Sequence, residues 1–568
     1  MRFFFLPISF TILPVCNTFQ IRHAVTHPNP HDARSARPHF PTNALSTLSL
    51  PRTSARTRFY KALAASSPVV LDPDSVSSAS ADDEKEESNE ERIGAWLPLA
   101  SALGLTGLGP QQIRIMGIDL VVWHTPIDDD GAQEWVAQVD ACTHRLAPLS
   151  QGRVNPDTKC IECPYHGWEF NTEGTVTNIP HIDHPRFVDT AQKEGGNVQT
   201  FPTHTVGDLI FVFLPSSLHG DMFPQSILPE QFYPVLSKIA KDQSSSFFVR
   251  DLPYSFDFML ENFMDPAHIP YAHHKLQSKR EDAAPMVIKE LVNNFTHVEF
   301  AFEDVTSGRS RDGYSSFQRP SVFHFGEYKS ENHTDSATNK KGRVPTLIIP
   351  CVPIEAGRCR IFLPDFKIPL PLPTSLLHAG NNRFLNSDAW VHDTEWEAVR
   401  RRALLEVEPR CSKSSKPKLA GLDYIYASRS DKGAAIFRRW WLTHGFADAP
   451  RHTFCMSTIE ELRETYPHRL SRKDQIDPWI HHVKHCSRCR SDLKRVKQGQ
   501  ALCLGVAIAF TTLIRTGATG GWKRALVGVA GAGMGFYARN FLKRFATAIE
   551  GNPERSGVAD RSTAASAD

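Results

Sequence analysis

The chain has 568 residues, with 64 Lys and Arg against 62 Asp and Glu, a net charge of +2. It is long enough for two or three domains and lacks the cationic surplus of a nucleic-acid binder. Its 22% of charged residues is ordinary for a soluble protein, and its 11 cysteines, scattered from Cys16 to Cys503, are too sparse for a secreted disulfide scaffold. They suit a reducing compartment in which cysteines serve metals or redox chemistry.

Residues 1–70 read as an address. MRFFFLPISFTILPVC is one basic residue and an apolar run, as in a secretory signal. From Phe19 to Val70 there are seven Lys or Arg and one acid, Asp32, among many Ser, Thr, Ala and Pro, which is transit-peptide composition. A signal joined to a transit peptide at Phe19 resembles the two-part presequence of algae with secondary plastids. Residues 71–93 form an acidic low-complexity linker that cannot bury a core, so order is expected from about Trp96.

The first chemical constellation lies in CTHRLAPLSQGRVNPDTKCIECPYH, Cys142 to His166. Two loops each offer one Cys and one His: Cys142 with His144, and Cys163 with His166. A zinc finger usually groups two cysteines on one loop and two histidines on the other. The mixed arrangement suits a Rieske 2Fe–2S cluster, in which two thiolates hold one iron and two imidazoles the other. Cys160 is read as a non-ligand, because a Cys160/Cys163 knuckle would strand His166. The segments IDLVVWH and GDLIFVFL bracket the site with the alternation of antiparallel strands.

A cluster that moves single electrons does no substrate chemistry alone. LENFMDPAHIPYAHHK supplies candidates for a second metal: Glu261, Asn262, Asp265, His268 and His273. Five residues apart, the two histidines diverge by about 140° on a straight helix. One ion can bridge them only if the helix is distorted, and Pro270 is the expected cause. Two histidines and one carboxylate leave open positions on a non-haem iron. For the carboxylate, FLNSDAWVHDTEWE offers Asp388 first, in an uncharged setting, and Asp393 second. Glu395 and Glu397 are expected to be solvated, and His274 ranks below His273.

Near the C-terminus Cys486-Ser487-Arg488-Cys489 is a CxxC motif beside His481, His482 and His485. A zinc site and unpaired surface thiols are both open readings, and Arg488, Arg490 and Lys484 are expected to lower the thiol pKa. Two apolar stretches follow, Gly499–Ile514 and Ala525–Ala538, joined by RTGATGGWKR. Each is slightly short for a comfortable membrane span, yet a terminal, Gly-rich, basic-flanked pair suggests a transmembrane hairpin. Gly531 and Gly535 form a GxxxG that allows close helix contact.

From about Trp96 to Phe545 the chain resembles the pheophorbide a oxygenase family of plastid Rieske oxygenases. The resemblance rests on CTHRLAPLSQGRV, CPYHGWEF, ENFMDPAHIPYAHH, SDKGAAIFRRWW and HCSRCR. It implies that Cys142, His144, Cys163 and His166 bind the cluster, and that His268, His273 and Asp388 bind mononuclear Fe(II). It implies that Asp265 bridges the two centres, that Asn262 lines the iron pocket, and that Cys486/Cys489 form a redox-regulatory dithiol open to thioredoxin. It further implies ferredoxin as electron donor, O2 and a chlorophyll-derived tetrapyrrole as substrates, a homotrimer, and a plastid membrane, thylakoid or inner envelope.

The expected fold class is α+β. A Rieske β-domain (94–215) is followed by a helix-grip-type catalytic domain (216–470), a CxxC segment (471–497), a membrane hairpin (498–545) and a disordered tail (546–568). Ring opening of pheophorbide a is the first functional expectation, with oxidation of chlorophyllide a or protochlorophyllide a behind it. An import-associated redox protein without turnover is the reading from another class.

Overall fold

The computed structural model describes residues 93–551 apart from 127–133, 216–222, 238, 240–245, 307–308, 329–342, 366–372, 406–423, 445–459, 461–462, 465–467 and 516–521. The expected presequence, the acidic linker before Ile93 and the tail beyond Gly551 lie outside the described residues.

Three small antiparallel sheets build the first half. In one, Ile93–Ser101 lies between Leu209–Pro215 and Phe223–Pro224, with Thr203–Val206 outermost. A second pairs Gln111–Ile115, Ile118–His124, Trp135–Val139 and Thr200–Phe201 in that order. The expected strands IDLVVWH and GDLIFVFL are both present, the second starting at Leu209 as LIFVFLP, and both are almost wholly buried, so their runs of Val, Ile and Phe fill a core between sheets. The third sheet is four strands of two or three residues, Arg153–Val154, Ile161–Glu162, Glu169–Phe170 and Val176–Asn178. Such short strands leave most of that region to turns, and those turns carry the first constellation.

The second half is one seven-stranded antiparallel sheet. Its spatial order is Phe247–Leu252, Arg358–Pro364, Arg343–Glu355, Val322–Tyr328, Arg309–Gln318, His297–Thr306 and Val287–Asn293. Helices Phe256–Phe263 and Lys432–His444 pack together against it through Phe256, Phe317, Phe437, Trp440 and Trp441. Helices Thr374–Asn386 and Val391–Leu405 follow the last strand.

Buried polar contacts lock the halves together. Asp208 accepts from the Ser101 hydroxyl at 2.7 Å, the Leu103 amide at 2.7 Å and the Phe247 amide at 2.8 Å. Without that carboxylate two amides and a hydroxyl would be left unsatisfied, at about 1–3 kcal/mol each. The turn at Met116 and Gly117 also donates to the carbonyls of Pro353 and Ile354 at 3.0 and 2.6 Å.

At the C-terminus, helices Ser487–Arg515 and Trp522–Glu550 run antiparallel. A Cβ on Gly531 would meet the Phe510 ring at 2.8 Å, and one on Gly535 would meet the Ala507 Cβ and the Cys503 carbonyl at 3.0 Å. The expected GxxxG is therefore the contact face. Both helices outrun the expected boundaries: the first takes in Cys489, and the second reaches Glu550, with Ala546 and Ile549 buried. The tail expected from 546 therefore begins at least five residues later. Among the described residues one helix, Ser487–Ile514, is long and apolar enough to cross a membrane.

Candidate functional site

The first constellation sits on repeated turns. The Cys142 amide donates to the Ala147 carbonyl and the Leu146 amide to the Cys142 carbonyl, both at 2.8 Å, with Leu146 at φ +58°. The Cys163 amide donates to Trp168 at 2.8 Å and the Gly167 amide to Cys163 at 3.1 Å, with Gly167 at φ +71°. A left-handed residue closes each turn, and glycine takes that conformation without strain. The turns aim amides at sulfur: those of His144 and Arg145 at Cys142, and those of Tyr165 and His166 at Cys163. The two sulfurs share one hydrogen bond, which lowers the Cys163 thiol and raises that of Cys142, while the amides lower both.

A third copy of the turn accounts for Cys160. Asn155 donates to the Cys160 carbonyl at 2.8 Å and Lys159 to Asn155 at 2.9 Å, with Lys159 at φ +57°. Asn155 holds the place of the ligand cysteines, whereas Cys160 matches Ala147 and Trp168. Its thiol turns to the Thr158 carbonyl and the Thr177 hydroxyl at 3.4 and 3.5 Å.

The two imidazoles lie side by side at 4.7 Å between centroids, and Trp168 stacks on His144 at 4.8 Å and 7°. The His144 Nδ1 is buried with no hydrogen-bond partner. Burial and the neighbouring His166 lower its affinity for a proton, which keeps a lone pair ready for a metal. Leu146 and Tyr165 beside these rings are exposed.

The second constellation is buried in the other half. Helix Phe256–Phe263 ends at Met264, and Asp265 then caps a 3-10 turn, Pro266–His268, by accepting from the Ala267 amide at 2.9 Å. A new short helix, Ile269–Ala272, starts at once. The histidines are thus brought together by a change of helix type at His268. Pro270 is not the kink expected of it; it sits in the first turn of the new helix, where proline is tolerated.

Tautomers follow from the partners. The His268 Nδ1 faces the Asp265 carbonyl, which can only accept, so that nitrogen carries the proton and Nε2 presents a lone pair. The Ser387 hydroxyl donates to the Phe384 carbonyl at 2.6 Å and accepts from the His273 Nδ1 at 2.8 Å. The His273 Nε2 therefore presents a lone pair to the Asp388 carboxylate, 3.2 Å away. Either a second proton on His273 or a bound cation satisfies that pair. The ligand atoms of His268, His273 and Asp388 lie within 4.8 Å of one another, and the Asp388 Oδ1 is buried with no hydrogen bond. This donor set fits a mononuclear iron with open positions.

The neighbouring candidates fall elsewhere. Asp393 turns to Arg469 at 2.8 Å and Gln475 at 2.9 Å. His274 accepts from the Arg280 amide at 3.0 Å. Glu261 pairs with Arg438, which also holds Asp257. Asn262 is buried on the helix just before the turn that carries His268. Glu397 is half-exposed and pairs with Arg400 and Arg401, in keeping with a solvated position, but Glu395 is fully buried and accepts from the Ser255 amide at 2.7 Å. The expectation of a solvated Glu395 is corrected: it fixes the start of the helix that leads to the histidines. Asp265, its carboxyl pushed up by burial, opens onto a cleft of about 420 Å³ lined by Tyr424, Ile425, Tyr426, Asp431 and Ala434.

Sequence reasoning missed Ser387 and Phe384, which orient His273 by hydrogen bond and by stacking at 4.1 Å. Both flank Asp388, and FLNSD carries no signal for either role before the fold is known. Cys486 and Cys489 are buried, not surface thiols, and the side chains facing them are His378 and His482. Arg488 binds Asp365 at 3.0 Å, Ser246 and the Phe247 carbonyl, and its charge acts in the expected direction on Cys489, lowering that thiol against the stronger effects of Cys486 and burial.

Residues 95–202 match the family model of the Rieske 2Fe–2S domain. The chain is 33% identical over 439 residues to pheophorbide a oxygenase of Arabidopsis thaliana, covering 72% of this chain and 74% of that one. It is 28% identical over 442 residues to protochlorophyllide-dependent translocon component 52 of Arabidopsis thaliana, covering 70% and 72%. It is 25% identical over 490 residues to flavonoid 8-hydroxylase 2 of Ocimum basilicum, covering 81% and 85%.

Proposed function

We propose, for a chain that belongs to the pheophorbide a oxygenase family of Rieske oxygenases, that it oxygenates a chlorophyll-derived tetrapyrrole in a plastid, opening the ring of pheophorbide a. The observation that carries the oxygenase reading is the pairing of two complete donor sets, one on the repeated turns and one made by His268, His273 and Asp388.

Cys142, Cys163, His144 and His166 would hold the cluster, and His268, His273 and Asp388 the iron. When bound, these groups supply single electrons and the reductive activation of O2. The chain's own residues do the positioning. The Asp265 carbonyl and the Ser387 hydroxyl each accept a hydrogen bond from an Nδ1–H, of His268 and His273 respectively, and so leave both Nε2 atoms to the metal. Phe384 stacks on His273 and holds its plane. The buried setting of His273 and Asp388 keeps bulk water from that side.

Ferredoxin would deliver the electrons. The cluster turns end in exposed Leu146 and Tyr165, and the Asp265 cleft is rimmed by exposed Ile425 and Tyr426. These two surfaces fit a homotrimer in which the turns of one copy dock at Asp265 of the next. The C-terminal helix pair would lie in the membrane: Leu502, Ile508, Val527, Val529, Met534 and Phe541 are all exposed along it. An amphiphilic pigment is delivered most directly to an enzyme held at that surface.

The relative named as a protochlorophyllide-dependent component keeps a second reading in play, oxidation of a Mg-bearing pigment. The test offers pheophorbide a and chlorophyllide a in parallel to anaerobically reconstituted protein with reduced ferredoxin and O2. A ring-opened, oxygenated product from pheophorbide alone supports the first reading. Oxidation of chlorophyllide alone replaces it with the second, and turnover of neither removes the enzyme reading.

A further inference from the structure

His378, His482, Cys486 and Cys489 are buried and bring four ligand atoms within 4.8 Å of one another. Sequence places His378 more than a hundred residues from the CxxC, so only the fold could reveal it. His378 lies on helix Thr374–Asn386, His482 follows the turn Pro478–His481, and Cys489 lies in the first turn of helix Ser487–Arg515.

The outer hydrogen bonds fix which nitrogen of each ring faces inward. The His482 Nδ1 faces the Val249 carbonyl at 2.6 Å, an acceptor only, so Nδ1 carries the proton and Nε2 a lone pair. The His378 Nε2 faces the Asp365 carboxylate at 3.1 Å, so its inward Nδ1 also carries a lone pair. These two lone pairs meet at 3.0 Å, with the Cys489 sulfur 3.2 and 3.3 Å from them. The Cys486 sulfur is 3.8 Å from the His378 Nδ1. Without a metal, the thiol protons or a charged His378 must bridge these atoms; one cation at the centre would meet all four at once.

We propose that these four side chains bind one Zn²⁺ ion, which fastens the C-terminal helix pair to the catalytic domain. A tetrahedral ion with Zn–N near 2.0–2.1 Å and Zn–S near 2.3 Å separates its ligands by about 3.3 Å for two nitrogens and about 3.5 Å for nitrogen and sulfur. The observed 3.0–3.8 Å spans those edges. A second iron–sulfur cluster would hold its thiolates and imidazoles much farther apart, on different irons. The outer shell is that of a zinc site: one histidine backed by a carboxylate, the other by a backbone carbonyl. Asp365 is itself braced by Ser246 at 2.6 Å and Arg488 at 3.0 Å. On binding, the two thiols release their protons to solvent and no redox partner is needed. The site stands apart from the oxygenase reading and survives if that reading fails.

Full-length protein purified anaerobically without chelator is assayed by elemental analysis and zinc K-edge absorption. The expected result is about one zinc per chain with two sulfur and two nitrogen neighbours. Cys486→Ser with Cys489→Ser should lose that zinc while the Rieske spectrum persists, and His481→Gln, outside the set, should retain it. Asp365→Asn, which spares every ligand, should weaken retention against a chelator by about 10–100-fold. The proposal is overturned by zinc held through nitrogen and oxygen alone, by iron in its place, or by a Cys486–Cys489 disulfide in metal-free protein. Should the double variant fail to fold, the absorption spectrum of the unaltered protein decides.

Discussion

In the Rieske half, both ligand pairs ride on copies of one short turn, and each turn is complete within six residues. In the catalytic half, two histidines come from a helix that changes type, and the carboxylate comes from the far end of another helix. The first site is built by local hydrogen bonds and keeps its rings near the surface; the second is built by packing and is buried. A site of the first kind should tolerate changes in distant elements, whereas one of the second kind should be vulnerable wherever the supporting helices are altered.

The strongest way to break this contrast is Asp388→Ala. It should abolish oxygenation and remove about one iron per chain, leaving the Rieske electron-paramagnetic signal unchanged. Loss of that signal as well would mean the two sites do not fold independently. Ser387→Ala removes only the partner of the His273 Nδ1 and should cost about 10–100-fold in iron affinity or activity, read by iron titration against turnover. Cys160→Ser should be the mildest. Because Cys160 lies on the turn whose ligand position is Asn155, the cluster spectrum should stay intact, with stability changed by about 1 kcal/mol in thermal unfolding.

The same contrast explains what could be read in advance. Cys142, His144, Cys163 and His166 are legible because a local turn leaves its spacing in the sequence. The strands IDLVVWH and LIFVFLP are legible for the same reason, through uninterrupted apolar runs. The uncharged neighbours of Asp388 point to burial, and burial distinguishes it from the half-exposed Asp393, which pairs with Arg469. Glu395 was misjudged because its helix is rich in charge, and only the packed fold shows the Ser255 amide waiting beneath it. Ser387 and His378 left no trace, since their partners are distant in sequence and their own neighbours are unremarkable.

Helix Thr374–Asn386 carries His378 in its second turn, clamps the buried Arg250 through Asn382 and its last residue Asn386, and delivers Phe384, Ser387 and Asp388 at its end. At about 1.5 Å per residue it is a stiff strut some 15 Å long from His378 to Asp388. Tension on the terminal helix pair, or loss of the fastening at His378, would rotate or slide that strut as a unit. A displacement of that kind would reach Asp388 without passing through the substrate, so the proposed fastening at one end of the helix and the proposed iron ligand at the other share one rigid element.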